Sequence, residues 1–95
     1  MPRLVLSPRA QLDLEEIEDY IARDNPARAT SFLDELKAHC ERILEMPDAS
    51  PAREDLGAGI RMAVHGRYLI LFRTDADIVR IERFLHSARR PPHRL

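Results

Sequence analysis

The stretch Gly59-Ile-Arg-Met-Ala-Val-His-Gly-Arg-Tyr-Leu-Ile-Leu-Phe-Arg-Thr-Asp-Ala-Asp-Ile-Val-Arg-Ile-Glu-Arg-Phe-Leu-His86 holds nearly all the strand-forming residues of the chain and decides its fold class. It divides into three runs: Ile60 to Val64, closed by His65-Gly66; Tyr68 to Arg73, closed by Asp75-Ala-Asp77; and Ile78 to Leu85. Glycine tolerates left-handed turn geometry and aspartate hydrogen-bonds its own backbone, so breaks this short predict two hairpins and an antiparallel meander. Arginine punctuates the meander at 61, 67, 73, 80 and 83 and continues at 89, 90 and 94.

Upstream, the short apolar run Arg3 to Leu6 stops at Ser7-Pro8, which reads as a strand entering a helix with Ser7 as N-cap and Pro8 in the first helical position. That helix runs to about Asp24, with Ala10, Leu14, Ile17 and Ile21 recurring at steps of three and four. Asn25-Pro26 interrupts it and opens a second helix. In that helix Ala29, Phe32, Leu33, Leu36, Cys40, Ile43 and Leu44 form an apolar stripe that ends near Met46-Pro47. Neither helix can bury its stripe alone, so the two form a hairpin over one face of the sheet. Residues 48–58 lack periodicity and read as a loop.

The expected architecture is α+β in the order β-α-α-β-β-β, a helical hairpin on a mainly antiparallel four-stranded sheet, with the first strand beside the last. Ninety-five residues make one domain, and residues 86–95 read as a basic, flexible tail around Pro91-Pro92. In the last strand, strict alternation assigns Val79, Ile81 and Leu85 to the helix face and Ile78, Arg80, Glu82 and Phe84 to the other. Arg83 falls on the apolar parity, which calls for an escape past the edge, a bulge or a buried carboxylate partner.

With 44% hydrophobic and 33% charged residues the composition is that of a folded globular chain. One cysteine excludes an intrachain disulfide, and Cys40 on the helical stripe reads as core. Four scattered histidines offer no zinc spacing, and neither metal nor cofactor is expected. No apolar run approaches membrane-spanning length and no signal peptide opens the chain, so a cytoplasmic protein is expected. Net charge is −1, but residues 9–45 carry ten acids against five bases, and residues from 60 onward carry three acids against eight arginines. An acidic helical side and a basic sheet side suit an anionic or acidic partner, without proving nucleic-acid binding.

The ordered set Leu6-Ser-Pro-Arg-Ala-Gln-Leu-Asp-Leu-Glu-Glu-Ile-Glu-Asp-Tyr-Ile21, Pro26-Ala-Arg-Ala29, Phe32-Leu33, Ile60-Arg61, Tyr68-Leu-Ile-Leu-Phe-Arg73 and Ile81-Glu-Arg-Phe-Leu-His86, ahead of Arg89 and Arg90, resembles the ParE-like branch of the RelE/ParE toxin superfamily. The resemblance implies the toxin of a type II toxin-antitoxin pair, associated with plasmid stabilisation, that inhibits DNA gyrase and is neutralised by a cognate antitoxin. It implies target contacts at Arg61, Arg73, Arg83, His86, Arg89 and Arg90. An amphipathic antitoxin helix is expected on Leu14, Ile17, Ile21, Phe32 and Leu36.

The alternatives are a RelE-like, metal-independent, ribosome-dependent endoribonuclease using Arg61, Arg67 and Arg89, and a non-toxic member that binds only its antitoxin. A nuclease must move a proton from the 2′-hydroxyl and stabilise an anionic phosphorane, which needs convergent basic groups. Against that pattern, no lysine follows Lys37, Ala63 stands where a basic strand residue is expected, and the tail contains no tyrosine. His65 in its turn reads as solvated, and Tyr68 as a packed ring with an exposed hydroxyl. The carboxylates Asp13, Glu16 and Asp19 read as a solvated helix face.

Overall fold

The computed structural model describes residues 1–88. Strand β1 (Arg3–Leu6) leads into helix α1 (Pro8–Ala22), helix α2 (Pro26–Glu45), and strands β2 (Arg61–His65), β3 (Tyr68–Asp75) and β4 (Ile78–His86). The sheet order is β1-β4-β3-β2, with β1 parallel to β4 and the other pairs antiparallel. The hairpin turns are two residues long, and Gly66 takes a left-handed φ of 59° that a residue with a Cβ adopts only at a cost.

Each helix starts where its cap dictates. Ser7 accepts the Ala10 amide and Asn25 accepts the Arg28 amide, with proline at the first helical position of both helices. The helices lie on one sheet face and enclose the main core: Ala10, Ile17, Phe32, Leu36, Cys40 and Ile43 meet Ala63, Ile70, Phe72, Val79, Ile81 and Phe84. Burial pushes the Cys40 thiol up to about 12, as befits an inert core cysteine.

Two sequence expectations give way here. Residues 48–58 do more than connect. Two short 3-10 turns (Pro47–Ala49 and Glu54–Leu56) carry the chain to the opposite sheet face, where Leu56 and Ile60 cover Leu71 and Leu85. The same segment borders β2: the Met62 amide donates to the Pro51 carbonyl at 3.0 Å, and the Arg53 amide to that of Ile60 at 2.7 Å.

The alternation in β4 also breaks. Arg83 stands opposite Leu71 and Ile81 opposite Phe72, so Glu82 is an extra residue in a β-bulge. Beyond the bulge the parity inverts. Phe84, not Leu85, enters the helix-side core, and Leu85 joins the second cluster.

Candidate functional site

Strand β1 pairs with β4 only as far as Leu6 opposite Ile81, which leaves the margin of β4 beyond the bulge without a neighbouring strand. Helix α1 takes over that margin. The Ser7 hydroxyl donates to the Glu82 carbonyl at 2.8 Å, and the Asp13 carboxylate accepts the Phe84 amide at 3.0 Å. Asp13 also receives the Arg83 guanidinium in a fork, Nε at 2.8 Å and Nη2 at 3.2 Å, with the Arg9 Nε at 3.5 Å. Only 3% exposed, Asp13 is not on a solvated face; it lies in register with the buried Ala10 and Ile17 on the inner stripe of α1. Its spacing from them was the signal available in the sequence, and it also resolves Arg83, which sits at a bulge and has a buried carboxylate partner.

Beside this junction a cleft of about 310 Å³ opens between α1 and the ends of β3 and β4. Asp13, Ile17 and Tyr20 line it from α1, Tyr68 from β3, and Arg83 and His86 from β4. Tyr20, 66% exposed, stands at its rim. Tyr68 packs edge-on to His86, ring centroids 5.2 Å apart, and against Phe32 at 5.4 Å. His86 Nδ1 accepts the Ala88 amide at 3.1 Å, so this ring fixes the direction in which the chain leaves β4.

Among the described residues, the expected target-contact arginines turn to separate partners on their own chain. Arg61 donates to the Ser50 carbonyl at 2.6 Å and lies 3.7 Å from Asp48. Arg73 donates to the Ala58 carbonyl at 2.8 Å and also pairs with Glu82, which in turn receives Arg80 at 2.9 Å. Arg83 is committed to Asp13. Arg61 opens β2, whereas Arg67 lies in the turn after that strand ends. At the rise of an extended chain their backbones are roughly 15 Å apart. Arg89 and Arg90 lie outside the described residues.

The expected antitoxin groove is filled by the protein itself. Ile17, Phe32 and Leu36 face the sheet in the core, and Leu14 and Ile21 pack partly buried against it. On α1 the large apolar side chains presented outward are Leu12 and Tyr20. His65 is not solvated either: it meets His39 and the ring of Phe32. Among the described residues no cluster of three or more His, Cys, Asp or Glu side chains is arranged to hold a metal ion, and no helix is long and apolar enough to cross a membrane.

The fold resembles that of a protein from a chromosomal ParDE toxin-antitoxin system of P. aeruginosa, with a TM-score of 0.77 at 19% identity over 90% of this chain and 96% of that one. A crystal structure of a histidine-to-glutamine mutant of YafQ from E. coli is a more distant neighbour, with a TM-score of 0.54 at 15% identity over 93% of this chain and 96% of that one. No curated protein matches the chain by sequence. The family model of the ParE toxin of the type II toxin-antitoxin system parDE matches residues 4–91. With nearly its whole length matched, the chain belongs to the ParE toxin family of type II toxin-antitoxin systems.

Proposed function

We propose that this toxin inhibits DNA gyrase through surface contacts and is held inactive by a cognate antitoxin. The resemblance to ParE toxins supports gyrase as the target, and the observation that supports the contact mode is the placement of the described arginines. Arg61, Arg73 and Arg83 are engaged with carbonyls and carboxylates of their own chain. Such an arrangement supports recognition of a protein surface better than assembly of a phosphorane-stabilising site. The antitoxin segment is assigned to the outer side of α1 and the adjoining cleft, where Tyr20, Leu12 and the acidic helix face are accessible.

The test is single alanine substitution at Arg67, Arg89 and Arg90, with growth arrest read as a function of induced toxin level. Each is expected to weaken toxicity by about five- to tenfold, the range of an ordinary interface side chain. Loss of about a thousandfold at one position, with the others unaffected, would instead mark a catalytic group and favour RNA cleavage.

A further inference from the structure

The Nδ1 atoms of His39 on α2 and His65 at the end of β2 approach to 2.8 Å, a hydrogen-bonding distance, with ring centroids 5.0 Å apart. Both side chains are half-buried, and the edge of Phe32 closes on His65 with centroids at 5.5 Å. An N–H···N contact of this kind has one donor and one acceptor, so the accepting ring must be neutral with a bare Nδ1. If both rings carried a second proton, two N–H groups and two positive charges would face each other at the same point. The contact therefore exists with at most one charge on the pair.

We propose that His39 and His65 form a proton-operated latch that fastens the β2–β3 turn to α2 at neutral pH and releases it when both rings are protonated. On α2, Arg42 lies near His39 and opposes its protonation, and Glu35, held by Arg28, is the acidic group on the same helix that faces the pair. On the strands, Tyr68 follows the turn and separates the pair from His86 on β4. Burial first, and then the charges of His65 and Arg42, push His39 below its ordinary value. The closed latch thus binds fewer protons than the open one. Its contribution is complete above the ordinary histidine value of about 6.5 and is lost as pH falls below it. Release would free residues 65–68 and uncover Phe32, whose ring touches both His65 and Tyr68. This inference does not depend on the target of the toxin.

The experiment is NMR on the full chain, following the ring nitrogens of His39 and His65 from pH 8 to pH 5. Amide exchange is followed in parallel at Ser87, whose N–H is held by the Arg67 carbonyl at 2.7 Å. At pH 7.5 one Nδ1 should be protonated and the other bare. Between pH 6.5 and 5.5 the opening equilibrium read at Ser87 should rise by up to about tenfold, the limit for one linked proton. His39→Gln keeps a hydrogen-bonding side chain without the titration and should remove that pH dependence, while Ile70 and Phe72 stay protected. Two independently titrating rings in the wild type, or an unchanged pH dependence at Ser87 in His39→Gln, would overturn the latch. The wild-type ring titration decides the matter alone should the variant fail to fold.

Discussion

Replacing Asp13 by alanine is expected to destabilise the protein by about 3 kcal/mol, because it breaks a buried ion pair and strips the acceptor from a strand amide at once. The carboxylate serves Arg83 through two nitrogens and the Phe84 amide through a third contact. Without it, Arg83 keeps a largely buried guanidinium with no counter-charge, and the margin of β4 that β1 fails to reach loses its closure. For a domain this small the loss corresponds to roughly 15 °C in Tm. Urea unfolding of Asp13→Ala, Arg83→Met and the double variant tests the assignment. The double variant should cost less than the sum of the singles, since removing both partners leaves no orphaned charge. A cost below about 0.5 kcal/mol for Asp13→Ala, the size of an ordinary surface change, would return Asp13 to the solvated helix face.

The second large effect is expected at Phe72, fully buried where β3 meets the bulge of β4. Phe72→Ala should cost about 4 kcal/mol, the lost transfer of the ring plus the cavity left behind. Phe72→Leu, which refills much of that volume, should cost about 1.5 kcal/mol or less. Val64 provides the contrast on the same sheet: it is 57% exposed, so Val64→Ala should stay within about 0.5 kcal/mol of wild type. Chemical denaturation with unchanged m-values checks all three, and similar costs at Phe72 and Val64 would contradict the placement of the core.

The order and pairing of elements were legible because each rests on local chemistry. Ser7-Pro8 and Asn25-Pro26 can start helices, the glycine and aspartate breaks can close short turns, and the apolar stripes repeat at helical steps. Features that depend on one residue of register, or on contacts distant in sequence, were less accessible. The inversion of Phe84 and Leu85 follows from a single extra residue, Glu82, which no period-two pattern announces. Asp13 looked like one acid among many, although its spacing from Ala10 and Ile17 placed it on the inner stripe, and its partner lies 70 residues away. The pairing of His39 with His65 spans 26 residues and joins a helix to a strand end, so neither histidine signals the other. At the candidate site the identities of the arginines were readable, but their directions were not: Arg61, Arg73 and Arg83 turn toward carbonyls and carboxylates of their own chain.

The most direct test of the proposed function is supercoiling of relaxed plasmid by DNA gyrase, with ATP and magnesium, as the purified full chain is titrated in and then challenged with its antitoxin. Contact inhibition predicts that supercoiling stops or cleaved DNA accumulates as toxin is added, and that the antitoxin restores activity. Gyrase untouched at large molar excess, together with cleavage of mRNA on translating ribosomes by the same preparation, would contradict it.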